Sequence, residues 1–213
     1  MSKALTMAKQ SHISTGVRKI LDLNVFYKTF QYMVGDYKLY RKTLSLLPSL
    51  ENKAVMDVGC GNGRLLDFLP ESVNYTGYDF NPDYIRNATI KYSNRKASFF
   101  VADINTTPDL AKADVIFAIG VLHHLSDESC VNFLQSAHKH LNEGGLVVTV
   151  DPVFVENQNF IARRIIKGDR GACVRFPQGY LDLGKDIFSG NDNYVLKNVT
   201  NIPYNHMIII NKK

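Results

Sequence analysis

The sequence predicts an α/β fold built on a parallel sheet with helices on both faces. Three observations lead there. Short apolar runs alternate with segments of helical period from residue 53 to residue 151. Such alternation favours parallel strands joined by right-handed helical crossovers. The run Val55-Met56-Asp57-Val58 opens directly into Gly59-Cys60-Gly61-Asn62-Gly63, with apolar Leu65-Leu66-Asp67-Phe68-Leu69 behind it. A strand, a glycine loop and a helix start form the ligand-binding corner of open α/β sheets, because glycine lets the backbone turn sharply and approach a ligand. Finally, 213 residues at 45% apolar and 21% charged content suffice for one substantial core.

The elements follow in order. Residues 1 to about 20 are polar and mixed, a mobile tail or a short helix. From Asn24 to Leu47, Val25, Phe26, Phe30, Met33, Val34, Tyr37, Tyr40 and Leu44 fall near helical spacing until Pro48 ends the segment. Strands are predicted over Lys53–Val58, Val73–Tyr78, Ala97–Ala102, Asp114–Ile119 and Leu146–Val150. The run Leu65–Leu69 reads as the helix that the glycine loop opens. Asn81 caps a helix to Tyr92, with Pro82 where a missing N–H is harmless. Ser126-Asp127-Glu128 starts a helix that ends near Leu141, closed by Gly144-Gly145. After Asp151-Pro152 come helices over Asn157–Lys167 and Pro177–Phe188, then strands over Asn193–Val199 and His206–Ile210, expected to pair antiparallel near the sheet edge.

Composition removes several classes. No apolar run reaches the ~20 residues needed to span a bilayer. The first residues have no apolar core of a secretory leader. Cys60, Cys130 and Cys173 form no C-x-x-C pair, which fits reduced thiols in a cytoplasmic protein and no metal site. Cys60 reads as a small filler in the glycine loop. The net charge of +5 admits nucleic acid as a partner, but the basic residues form no dense block and no nucleic-acid module is recognisable. A mildly basic soluble enzyme with a small-molecule substrate is the expectation.

The glycine spacing is G-x-G-x-G; Arg64 stands where the dinucleotide fingerprint needs its third glycine. In this form the loop resembles the first motif of the class I S-adenosylmethionine (SAM)-dependent methyltransferases. The resemblance continues through Gly77-Tyr78-Asp79-Phe80-Asn81, Phe99-Phe100-Val101-Ala102-Asp103-Ile104, Ile116 to Leu125, and Leu141 to Val148. It implies a Rossmann-like doubly wound seven-stranded sheet of order 3-2-1-4-5-7-6, its last strand antiparallel. It also implies one domain over 1–213: a helical lid (1–50), a SAM-binding core (53–151) and a substrate-side region (152–213). By the same resemblance Asp57 receives the cofactor's ammonium beside Gly59, Gly61 and Gly63. Asp79 holds the ribose hydroxyls with Phe80 beside it, and Asp103 takes the adenine amine with Ile104 against the ring. Ile119, Gly120 and His123 meet the methionine end, and Tyr27 and Gln31 reach the cofactor from the lid. Taken singly, each acid also reads as a strand-end cap.

Candidate chemistry lies in three places. His123 and His124 are adjacent and expected to point in different directions; His124 can accept a proton from a nucleophile, or only pack the loop. Tyr204 and His206 are further candidates for orienting a nucleophile. Arg163, Arg164, Lys167, Arg170 and Arg175 form a basic run that is either a solvated face or an anion site. Arg170 and Arg175, with Tyr32 of the lid, are the expected substrate contacts. The loop has no Asn/Asp-Pro-Pro-aromatic motif, which argues against exocyclic base amines as acceptors. The expectation is methyl transfer from SAM, with S-adenosylhomocysteine (SAH) as product, to oxygen or nitrogen of a small metabolite, including sugars and phosphate or carboxylate compounds. The alternatives are a non-catalytic SAM-binding regulator, a nicotinamide-dependent oxidoreductase and a nucleic-acid methyltransferase.

Overall fold

A computed structural model describes residues 36–105, 110–167 and 173–213. Seven strands form one sheet: β1 (Ala54–Val58), β2 (Asn74–Asp79), β3 (Ala97–Val101), β4 (Ala113–Ile119), β5 (Leu141–Pro152), β6 (Gly190–Leu196) and β7 (His206–Lys212). Their order is β3-β2-β1-β4-β5-β7-β6. The pairings β1·β2, β2·β3, β1·β4 and β4·β5 are parallel, while β7 is antiparallel to both β5 and β6. The chain winds outward from β1 to β3, then jumps back to lay β4 on the other side of β1. That reversal opens a crevice beyond the carboxyl ends of β1 and β4, where open α/β sheets hold ligands.

Strand alternation divides the core into two layers. Met56, Ile116, Ala118, Val147, Met207 and Ile209 point into one, and Val55, Val115, Phe117, Val148, Ile208 and Ile210 into the other. The helices are α1 (Asp36–Leu44), α2 (Pro82–Lys91), α3 (Asp127–His140), α4 (Phe160–Lys167) and α5 (Pro177–Gly184). Phe133, Leu134 and Ala137 of α3 and Tyr180 and Leu183 of α5 cover the first layer; Leu39 of α1 and Ala88 of α2 cover the second. Each fully buried large apolar side chain contributes about 1.5–3 kcal/mol. Among the described residues no helix is long and apolar enough to cross a membrane.

The predicted caps form. Asn81 Oδ1 accepts from the Asp83 and Tyr84 amides at 2.9 and 3.4 Å, and Ser126 Oγ accepts from the Ser129 amide at 3.2 Å. Several boundaries differ from expectation. The glycine loop opens a 3-10 turn over Arg64–Phe68 instead of an α-helix. Pro70 follows at once, and Arg95 takes the carbonyls of Leu66, Leu69 and Pro70 at 2.9–3.2 Å, so the turn cannot propagate. Gly144-Gly145 do not close α3, which ends at His140; they lie in a bulge of β5, where the pairing with β4 shifts register between Ala113 and Val115. A Cβ on Gly145 would come within 3.0 Å of two backbone oxygens, so the bulge requires glycine there. Asn157 sits at φ 55°, which delays α4 to Phe160. The sixth strand lies earlier than expected, since β6 pairs residue for residue with β7 from Gly190↔Lys212 onward. Of the predicted lid, α1 is described; Tyr27, Gln31 and Tyr32 lie outside the described residues.

Candidate active site

The site is built from the carboxyl ends of β1, β2, β4 and β5. Gly59, Gly61 and Gly63 turn the loop after β1 through φ 74°, 53° and 74°, a region that side chains disfavour. Their surroundings separate their roles. A Cβ on Gly59 would stand 2.7 Å from Val121 Cγ2, and one on Gly63 would stand 2.7 Å from the Tyr92 ring. Those two glycines permit close packing. A Cβ on Gly61 would meet nothing within 4 Å, so this glycine faces open space. Cys60 is buried, its sulfur against Gly77, as a filler residue should be.

Asp57, at the end of β1, is 4% exposed and accepts the Tyr75 hydroxyl at 2.6 Å. Burial pushes its carboxyl up to about 7; the Tyr75 bond offsets part of this and the nearby Asp79 charge adds to it. Asp79 ends β2 and ties the site together: Oδ2 accepts the Gly61 amide at 2.9 Å and Oδ1 the Asn81 amide at 2.8 Å. Phe80 beside it is 72% exposed, an unusually bare aromatic. Asp103 is half-buried and accepts the Asn105 amide at 2.8 Å. Ile104 is 3% exposed and belongs to the core layer with Tyr78, so Phe80 is the barer apolar surface at this end.

The loop after β4 forms the opposite wall. Ile119 and Gly120 are half-buried, and the Gly120 amide donates to the Val150 carbonyl at 2.7 Å. A 3-10 turn then spans Leu122–His124. His123 is buried, with its amide 3.1 Å and Nδ1 2.8 Å from the same oxygen of Asp151 at the end of β5. This contact fixes the orientation of the His123 ring. His124 is exposed, and its ring lies 3.9 Å from that of His123 at 40°. This corrects the expectation that the two rings diverge: the tight turn and the Asp151 anchor bring them into contact at a tilt. Asp151 was not among the sequence candidates. It is a strand-end acid like Asp57, Asp79 and Asp103, and that shared placement was the available signal.

Arg175, an expected substrate contact, is engaged by groups of the protein itself. Nε and Nη2 donate to Asp127 Oδ1 at 2.8 and 2.6 Å, Nη1 to the carbonyls of Leu122 and Cys173 at 3.1 and 2.9 Å, and Nη2 to the Leu125 carbonyl at 2.8 Å. All five N–H groups of the fork are thereby used within the protein. Arg170, the other expected contact, lies outside the described residues. Tyr204 and His206 are 9% and 8% exposed with ring centres 5.0 Å apart. His206 begins β7 opposite Pro152, one step along the ladder from Asp151. Among the described residues no three His, Cys, Asp or Glu side chains cluster as metal ligands do.

The sheet order and its switch point define a Rossmann-like fold. Residues 55–145 match the family model described as a methyltransferase domain, and the comparisons support a class I SAM-dependent methyltransferase. It is 32% identical over 114 residues to phosphoethanolamine N-methyltransferase 1 of Zea mays, covering 50% of this chain and 22% of that one. It is 33% identical over 123 residues to the tRNA U34 carboxymethyltransferase of Nautilia profundicola, covering 54% of this chain and 39% of that one. The chain thus spans well under half the length of these relatives. In fold it is similar to the N-methyltransferase NodS of Bradyrhizobium japonicum WM9, solved with SAH, with a TM-score of 0.65 at 15% identity over 84% of this chain and 87% of that one.

Proposed function

We propose that this protein transfers the methyl group of SAM to an oxygen or nitrogen of a small metabolite. The observation that carries the reading is the open cradle at Gly61, whose amide is held by Asp79 beside the buried acid of Asp57. In this reading Asp57 faces the ammonium and the Gly59–Gly63 loop the carboxylate end. Asp79 accepts the ribose hydroxyls with lone pairs that the two amides leave available. Asp103, with Ile104 and the bare Phe80 ring, borders the adenine. Ile119, Gly120 and His123 border the methionine end, and Tyr27 and Gln31 are the further cofactor contacts of this reading.

Bound SAM supplies an electrophilic methyl group on a sulfonium. The chain's part is to hold the acceptor in line with it and keep water out. His124 is exposed beside the anchored His123 ring, where it can take the proton that the nucleophile releases. Tyr204, two residues before β7, and His206, at its start, orient the acceptor. Tyr32 and Arg170 bind its polar end. The likeness to an enzyme named for phosphoethanolamine supports acceptors bearing phosphate or an amine, with sugars and carboxylates next to be screened. Relatives named for tRNA place salt-dependent RNA binding in the same screen.

Thermal shift and calorimetry with SAM, SAH and NADH test the assignment. Stabilisation by the two SAM-type ligands alone is expected, and no response to them would overturn it. Asp79→Ala should lose SAM affinity by roughly 10–100-fold, the cost of a charged hydrogen-bonding partner, while the melting transition persists. Unchanged affinity in that variant would remove Asp79 from the cofactor site.

A further inference from the structure

The geometry points to Arg175 as the positioning residue of the His123–His124 loop, with Asp127 as its anchor. The inference rests on the methyl-transfer reading of that loop, but the contacts that carry it do not.

The loop between Gly120 and Ser126 leaves the sheet, so β4 and β5 hydrogen bonding cannot fix it. Several outside contacts hold its main chain, and the Cys130 thiol adds weak ones, at 3.4 Å to the Leu122 carbonyl and 3.8 Å to that of Leu125. Asp151 takes the His123 amide. The Cys173 amide donates to the His123 carbonyl at 3.0 Å. Arg175 takes the carbonyls of Leu122 and Leu125, one on each side of the histidine pair, through different ends of one rigid fork. A planar guanidinium with its charge fixes the separation of two carbonyls as a lysine ammonium cannot. The fork is itself fixed. Its side chain is 10% exposed, lies 5.5 Å from the Tyr180 ring, and is gripped by Asp127 through two nitrogens.

The Arg175 backbone is held as well. The Phe154 amide donates to its carbonyl at 3.0 Å, and Val153 pairs with it as an isolated bridge. Arg175 is thereby attached to the chain that leaves β5 just beyond Asp151. Both histidine anchors, the Asp151 carboxylate and the Arg175 fork, refer to the same strand end. The Asp127 side chain is 81% exposed and touches none of the strand-end acids of the glycine corner, so its removal loosens the fork without entering the cofactor site.

The test uses the whole protein labelled at histidine, with Asp127→Ala and Arg175→Lys variants. Imidazole NMR signals are read with and without SAH, and SAH affinity by calorimetry. Both variants should shift or broaden the His123 and His124 signals, leave His138 and His140 unmoved, and weaken SAH binding far less than Asp79→Ala does, since the glycine loop, Asp57 and Asp79 are untouched. With an acceptor in hand, kcat should fall about tenfold or more, a larger change than that in KM for SAM. Unchanged His123 and His124 signals in the folded variants would make Arg175 a strut of the fold and overturn the proposal. Should Arg175→Lys fail to fold, Asp127→Ala alone decides. A wild-type protein that binds no SAH would sink the methyltransferase reading instead, and the imidazole signals would still report on the clamp.

Discussion

Asp57 carries a buried carboxyl whose folded value of about 7 lies above its ordinary 3.8. The folded state therefore keeps a proton that the unfolded chain gives up as pH rises past 4. Stability from this group is fully present below pH 4 and is lost as pH climbs to 7, by an amount on the order of a few kcal/mol. Asp57→Asn keeps an acceptor for the Tyr75 hydroxyl without the titration. Its melting temperature relative to wild type should rise between pH 5 and pH 8; an unchanged difference across that range would show that Asp57 is ionised throughout. At this scale the sequence placed the acids at strand ends, and resemblance suggested their roles. It offered Arg175 only as a substrate contact and Asp127 only as a helix start, not as partners. Which carbonyls a guanidinium meets depends on how residues 173–175 lie against the 122–125 loop, and no local spacing encodes that.

Among the elements, α2 shows local chemistry agreeing with tertiary need. Asn81 caps it, Pro82 starts it, and Ala88 is fully buried against the sheet. Asn81→Ala should cost about 1 kcal/mol, from loss of the cap bonds. Chemical denaturation measures this directly, and a cost near zero would mean that the Asp83 and Tyr84 amides find other partners. Because the Asn81 amide also engages Asp79, SAM affinity measured in the same variant reports whether the cap and Asp79 move together. Element types over β1 to β5 were legible because their apolar runs are short and alternate with helical segments. The ends were less so. The stretch after Gly63 has a helical sequence but is stopped by Pro70 and Arg95, and the Gly144-Gly145 pair that looks like a helix stop serves a strand bulge. In each case a contact distant in sequence overrides local preference.

For the molecule as a whole, stability rests on the two core layers. Phe117 in central β4 is 0% exposed, and Phe117→Ala should cost about 3–5 kcal/mol. In a chain of this size that lowers the melting temperature by roughly 10 °C. A drop of a degree or two would mean that the layer can collapse around the gap. The order of the sheet followed from resemblance rather than from periodicity, since alternation does not say on which side of β1 the fourth strand falls.

That order also sets a sequence of assembly. β6 precedes β7 in the chain, yet among the described strands it pairs only with β7, which lies between it and β5. As the polypeptide emerges from synthesis, the first five strands can join while β6 has no partner to meet. Its residues are mostly exposed even in the finished sheet. Only when His206 to Lys212 slides in beside β5 does β6 acquire a neighbour, and the same event covers the open flank of β5. The histidine anchor Asp151 lies on that flank, opposite Met207. A nascent chain can thus hold the glycine corner before the wall of the acceptor side is complete.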